Sequence, residues 1–291
     1  MTAPDRTELL RTRVERADDL PTLPTVVARI GQMLRDPKVS ASAIGDVLAE
    51  DPVLTARILR LVNSAYYGFP QKITHVSRAI VILGFQKIHN VVLTASVFSR
   101  FAQPAGFPLC ALWEHSIAVA IASESLAESL QIRERAEEAF VSGLLHDLGK
   151  VVVAHVAPAD FAKVVELQRS RDLLFREAER QVLGTDHAEV GFWLARRWGL
   201  PEGVQNAIRF HHEPQTARAG RVLASLVHVA DLLARALNIG SGGDPHIPVV
   251  SQAAWDDLAI TPERADRAVR RTVERLAKAE AFFSLVRGEA A

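Results

Sequence analysis

Apolar residues recur at three- and four-residue steps through most of the chain. Val26, Ile30, Met33 and Leu34 form one such stripe, and Leu54, Ile58, Leu61 and Val62 form another. That spacing gathers them on one face of a 3.6-residue helix, so each stripe predicts an amphipathic helix with a buried side. The start signals agree. Asp51-Pro52 and Thr261-Pro262 each put a capping side chain before a proline at the first helical position, and Leu200-Pro201-Glu202 adds an acid in the first turn. Gly68-Phe69-Pro70 and Gly84 cut the first half into short helices. The longest predicted loop is Ile239 to Val250, whose Gly-Ser-Gly-Gly-Asp-Pro run cannot sustain a helix. No stretch alternates as a strand would and no unit repeats at a fixed period. The expected fold is all-α.

A breaker cluster, Gln103-Pro104-Ala105-Gly106-Phe107-Pro108, divides the chain. It predicts an N-terminal extension (1–17), a smaller helical part (18–107) and a larger one (108–291). The last helix is expected from Pro262 to about Arg287, with Phe282, Phe283 and Leu285 docking it on the body. Charge changes sign at the same boundary. The whole chain balances 34 basic against 34 acidic residues, yet residues 1–107 carry 13 basic and 9 acidic ones. Residues 52–107 hold six bases (Arg57, Arg60, Lys72, Arg78, Lys87, Arg100) and no acid. Such a stretch either packs on the acidic second half or meets an acidic partner.

Composition narrows the class. With 291 residues, 48% hydrophobic and 23% charged, the chain suits a folded protein rather than a disordered or fibrous one. The lone Cys110 excludes an intramolecular disulfide and any multi-cysteine zinc or iron–sulfur site. No apolar run is expected to reach the roughly 18 residues of a membrane helix. Met1 to Leu20 mixes acids with arginines, unlike a signal or transit peptide. The expectation is a cytoplasmic protein without membrane association.

Chemistry concentrates in the second half. His115 falls in an apolar helix (Leu112 to Leu130), and His146-Asp147 ends another. His187 begins a helix, His211-His212 ends the next, and Asp231 lies inside an apolar one with His228 three residues earlier on the same face. A carboxylate within Leu226–Leu233 is costly to bury without a partner or metal. Five histidines and two aspartates (His115, His146, Asp147, His187, His211, His212, Asp231) exceed what one ion needs. Asp147 is placed to bridge two ions about 4 Å apart, which would clamp a water for attack on phosphorus. Imidazole and carboxylate without thiolate favour iron or manganese, with zinc also fitting. Asp147 and Lys150 are the candidate catalytic residues, the lysine offering a point charge to a phosphate oxygen. Each residue alone also suits a hydrogen-bonded core position; the ordered series is what points to metal.

His115, His146-Asp147 and Asp231 follow the H…HD…D order of the HD superfamily of metal-dependent phosphohydrolases, which the chain resembles. His187-Ala188-Glu189-Val190-Gly191, Trp198-Gly199-Leu200-Pro201 and His211-His212-Glu213-Pro214 look like the subgroup holding the HD-GYP and HDOD domains. Leu20-Pro21-Thr22-Leu23-Pro24, Asp51-Pro52-Val53-Leu54-Thr55, Asn63-Ser64-Ala65-Tyr66-Tyr67-Gly68, and Ala79-Ile80 through Leu83-Gly84 are similar to the HDOD pattern. The resemblance runs from about residue 18 to 240. It implies a two-part helical bundle, with an HD-like core and an N-terminal helical subdomain, in a bacterial signalling module. Many such domains have lost part of the ligand set, whereas this chain keeps all seven positions. No Gly-Tyr-Pro follows His212-Glu213-Pro214, which counts against cyclic-di-GMP phosphodiesterase activity. The first 17 residues leave no room for a receiver domain, so input is expected from a signalling protein or a small nucleotide-like ligand.

The function expected first is therefore signal transduction by ligand or protein binding, with one or two divalent ions in a His/Asp site. The alternative is an active phosphohydrolase on a nucleotide or cyclic nucleotide. Nucleic-acid binding by the acid-free stretch is least favoured. Arg57, Arg60, Asn63, Tyr66 and Tyr67 form the candidate partner or ligand surface, although a helix end docking another segment explains the same residues.

Overall fold

Asp51 caps the helix it was expected to start: its Oδ1 accepts the Leu54 N–H at 2.9 Å, with Pro52 in the first position. Leu54, Ile58, Leu61 and Val62 are all buried, so the stripe read from sequence is the face that packs. A computed structural model describes residues 6–17, 20, 23–98, 103, 104 and 106–288. Pro21-Thr22 of the first resemblance motif, Arg100 of the basic stretch and Ala105 of the breaker cluster lie outside them.

Every regular element among the described residues is a helix. In chain order they are α1 (Arg6–Arg16), α2 (Thr25–Met33), α3 (Ala41–Ala49), α4 (Pro52–Val62), α5 (Val76–Leu83), α6 (Phe85–Val97), α7 (Leu109–Ser129), α8 (Ala136–Leu145) and α9 (Leu148–Val156). There follow α10 (Pro158–Arg171), α11 (Phe175–Leu183), α12 (His187–Arg197), α13 (Glu202–Phe210), α14 (Arg221–Ala236), α15 (Gln252–Asp257), α16 (Pro262–Leu276) and α17 (Glu280–Arg287). Two features differ from expectation. The C-terminal helix is two helices, α16 and α17, separated at residues 277–279. Arg133–Val156 is long and apolar enough to cross a membrane, contrary to the reading that no run would be. Its 18-residue apolar window is 83% buried inside the protein, and the segment turns at His146-Asp147, as a core element does.

The chain forms two compact units. One comprises Pro21–Phe101 and Val273–Ala291, so the last helix belongs with the first half rather than the second. In it α4 packs on α5, α6 and α17, and α6 packs on α2. Asn63 ties the end of α4 to the next segment: its amide donates to Leu59 O and Ile73 O at 2.8 Å and accepts the Ile73 N–H at 2.7 Å. The rings of Tyr66 and Tyr67 lie 5.1 and 6.4 Å from that of Phe282, while Arg60 donates to Ser284 Oγ at 2.8 Å. Arg60, Asn63, Tyr66 and Tyr67 thus hold α17 and a turn; Arg57 is half-buried on α4.

The other unit comprises Met1–Leu20 and Ala102–Thr272. Helix α1, expected as a separate extension, packs on α9, α11 and α12. At the centre α7, α8 and α14 pack together, with α13 closing one side and α9 crossing α12. Gly149 makes that crossing possible. A Cβ there would stand 1.9 Å from His187 O, so only glycine lets the two helix starts touch.

Candidate metal centre

Three helices and two turns carry the candidate ligands to one place. His115 comes from mid-α7, His146 and Asp147 from the turn between α8 and α9, and His187 from the first position of α12. His211 and His212 follow α13, and Asp231 comes from α14. Neighbouring imidazole rings stand 3.9–5.5 Å apart, centroid to centroid. His115, His146, Asp147, His187 and His211 are each only 1% exposed, Asp231 is buried and His212 is half-buried. The structure brings together all seven.

Their donor atoms fall into three overlapping groups: His115, His146 and Asp231; His146, Asp147 and His211; His187, His211 and His212. Within each group the donor atoms lie within 4.8 Å of one another. Backbone and carboxylate partners fix which nitrogen faces inward. The Nδ1 of His146 faces Gly143 O at 2.7 Å and that of His211 faces Ile208 O at 2.7 Å. A carbonyl only accepts, so each Nδ1 carries the proton and each Nε2 presents a lone pair. Glu179 Oε2 does the same for His187, 2.5 Å from Nδ1 and accepting the backbone N–H at 3.0 Å.

Several of these inward atoms lack donors. Among the described residues His146 Nε2 and His211 Nε2 are buried without a hydrogen bond, whereas His115 Nε2 stands 2.9 Å from Asp231 Oδ1 and Asp147 Oδ2 meets Lys150 Nζ. Asp147 Oδ1 stands 3.1 Å from His187 Nε2, which itself faces His212 Nε2 at 2.9 Å. Lone pairs turned toward one another in a buried space repel unless a cation lies among them. The donor set therefore fits one or more divalent metals.

The electrostatics favour the same state at three of the histidines; at His187 burial opposes the charge, but Glu179 and Asp147 outweigh it and raise the pKa. Burial pushes His146 down to about 4, despite Asp147 and Asp231 nearby. Burial, reinforced by neighbouring imidazoles, holds His211 and His212 well below the usual histidine range. Neutral imidazole is the metal-binding form. Burial opposes the charge on Asp147, but His146 and Lys150 outweigh it and hold the carboxyl well below its ordinary value. Asp231 behaves likewise, with Arg235 the foremost stabilising charge.

Lys150 is fully buried, with Nζ 2.6 Å from Asp147 Oδ2 and donating to Gly242 O at 2.7 Å. The predicted loop after α14 is thus a cap, and further bonds seat it. Asp244 accepts the Phe175 N–H at 2.9 Å and pairs with Arg235 Nη1 at 3.1 Å, while Arg235 Nε holds Asp231 Oδ1 at 2.9 Å. Ser241 N–H donates to Ala111 O at 2.9 Å, one turn before His115. The cleft left beside the centre, lined by Lys150, Phe175, His187, His212 and Arg235, has a volume of about 80 Å³.

Residues 20–214 match the HDOD domain family. The chain belongs to the HDOD family. An HDOD domain protein of unknown function from Geobacter sulfurreducens has a similar structure, with a TM-score of 0.73 and 29% identity over 97% of both chains. A Shewanella amazonensis protein described as a candidate phosphohydrolase gives a TM-score of 0.70 and 27% identity, over 94% of this chain and 96% of that one. An uncharacterized protein of Treponema pallidum is 28% identical over 94% of this chain and 53% of its own length. Ribonuclease Y of Aquifex aeolicus is 27% identical over 75% of this chain and 33% of its length. The HDOD chain thus spans about half, or less, of these curated relatives.

Sequence reasoning missed the supporting residues. Arg235 follows Asp231 by four positions on one helix face, so its pairing was open to a spacing argument. Glu179 precedes His187 by eight residues across a turn, and Asp244 lies in the loop; no local spacing marks either. His228, weighed for its place beside Asp231, is structural: its Nδ1 faces His211 O at 2.8 Å and its Nε2 accepts the Ser251 N–H at 2.9 Å.

Proposed function

We propose that this chain is an HDOD signalling module that works by binding a ligand or partner protein and carries a closed divalent-metal centre in its larger unit. The observation that supports this reading over catalysis is the cap. Lys150 reaches from Asp147 to Gly242, and the cleft left open is about 80 Å³. That volume suits a few waters at roughly 30 Å³ each, far short of the roughly 300–1,000 Å³ of a small-molecule site. His115, His146, Asp147 and Asp231 would hold one ion, and Asp147, His187, His211 and His212 a second. Iron or manganese suits this donor set best, with zinc next. When bound, such ions supply Lewis acidity and lower the pKa of water. In the closed state this chain's own groups use them for stability: Gly143 O, Ile208 O and Glu179 aim three imidazoles, and Arg235 aims Asp231.

A second reading, an active phosphohydrolase on a nucleotide or cyclic nucleotide, draws on the convergence of all seven ligand positions. The names of the Ribonuclease Y relatives and of the Shewanella protein point the same way. It requires residues 239–250 to withdraw, freeing Lys150 to neutralise a phosphate oxygen. The two readings separate in one experiment: wild-type protein and Asp147→Ala are loaded with manganese or iron, and thermal unfolding and turnover of a nucleotide and cyclic-nucleotide panel are followed. The binding module gains stability from metal and turns nothing over. Turnover that disappears in Asp147→Ala would establish the hydrolase.

A further inference from the structure

A second concavity lies away from the metal centre and shares no residue with it. It has a volume of about 410 Å³ and is lined by α1, by Asp160 and Lys163 of α10, and by the end of α11 (Gln181, Val182, Leu183). That volume is within the range of small-molecule sites.

Helix α1 is built asymmetrically around this pocket. At 3.6 residues per turn Arg6, Leu9, Leu10 and Arg13 fall within an arc of about 100°, and all four line it. Glu8, Arg11 and Glu15 fall on the opposite side, where Arg11 pairs with Glu15 at 2.9 Å. The acids of α1 are therefore turned away, and the face toward the pocket carries two guanidiniums with leucines between them. Arg6 donates to Val182 O at 3.3 Å, leaving its other N–H groups uncommitted to that bond. The Arg13 side chain makes no hydrogen bond or ion pair with any described residue. On the facing wall Lys163 pairs with Asp160 at 2.8 Å, the single acid of the lining. Three cations against one anion leave the pocket net positive. Its apolar part is Leu9, 44% exposed, beside the buried Leu10 and Leu183.

From this arrangement we infer that the pocket between α1, α10 and α11 binds a nucleoside phosphate, the phosphates meeting Arg6 and Arg13 and the nucleoside lying on Leu9 and Val182. Arginine pairs with phosphate through parallel N–H bonds, and an exposed leucine beside it suits a flat apolar body. The inference goes beyond the metal centre, since none of these residues is a candidate ligand there. Each can fail without the other.

The test is calorimetric titration of the full chain with ADP, using adenosine as the phosphate-free probe. Arg6→Glu/Arg13→Glu reverses the charge facing the pocket, and Arg11→Glu makes the same change on the opposite side of the same helix. All three sites are at the surface, and circular dichroism checks that each variant folds. ADP is expected to bind wild type and Arg11→Glu alike, and about tenfold or more weaker to Arg6→Glu/Arg13→Glu. Adenosine is expected to bind at least about tenfold weaker than ADP. Absence of ADP binding, binding that survives Arg6→Glu/Arg13→Glu, or an equal loss in Arg11→Glu would each overturn the assignment.

Discussion

Gly149 presses against the carbonyl oxygen of His187, so closely that a Cβ on Gly149 would stand 1.9 Å from it. This contact sets the separation of two helix starts, and with it the approach of Asp147 to His187. Gly149→Ala must push α9 from α12. Overpacking of this kind costs about 1–3 kcal/mol, so a lower midpoint in urea is expected together with weaker metal uptake. A wild-type midpoint in Gly149→Ala would show that the crossing has room for a methyl group.

Lys150 is the tie between the centre and its cap. Lys150→Met keeps the buried stem but removes the charge that meets Asp147 and the donor that meets Gly242 O. Breaking a buried ion pair costs on the order of 3–5 kcal/mol, felt most in the metal-free protein. Amide exchange across residues 239–250 should quicken. Unchanged exchange there would mean that Asp244 and Arg235 alone hold the cap.

Glu179 reaches the centre only through His187, by the ring Nδ1 and the backbone N–H. Glu179→Gln retains an acceptor but loses the charge that makes the inward nitrogen basic. Partners of this kind are worth about 10–100-fold in metal affinity, which competition with a chelator would read directly. An unaltered affinity would remove Glu179 from the working site.

His89 of α6 bonds the Val27 backbone of α2, and burial holds its pKa below the ordinary value. A histidine depressed on folding stabilises the protein above its unfolded pKa of about 6.5, and that contribution is lost as pH falls through the folded value. His89→Phe cannot titrate. The drop in unfolding midpoint between about pH 7.5 and pH 5 should therefore be smaller in His89→Phe than in wild type. An identical drop would place the acid sensitivity elsewhere.

The stripe on α4 was legible because burial there follows a local period and Asp51-Pro52 announces its start, whereas on α2 the buried pair is Val27 and Ile30, with Val26, Met33 and Leu34 only half-buried. The ligand series was legible for a different reason. Buried histidines and aspartates are costly in apolar helices, so His115 and Asp231 stand out wherever they fall. The break between α16 and α17 was not, because Ala277, Lys278 and Ala279 are ordinary helix residues and nothing local stops them. The apolar run from Arg133 to Val156 was underestimated because His146-Asp147 interrupts it in sequence while most of the stretch stays buried. Glu179 and Asp244 were beyond reach: both act across turns whose geometry exists only once α9, α11, α12 and α14 are assembled.

The most direct measurement is metal content by elemental analysis, on protein purified at low oxygen without chelator or nickel affinity resin. Asp147 sits among both groups of imidazoles, so one substitution should empty the site. Wild type is expected to carry about one to two equivalents of iron or manganese, and Asp147→Ala less than about a tenth of one while keeping its helical circular dichroism. Wild-type protein that is folded yet holds no metal, or Asp147→Ala that holds as much as wild type, would contradict a metal centre at these residues.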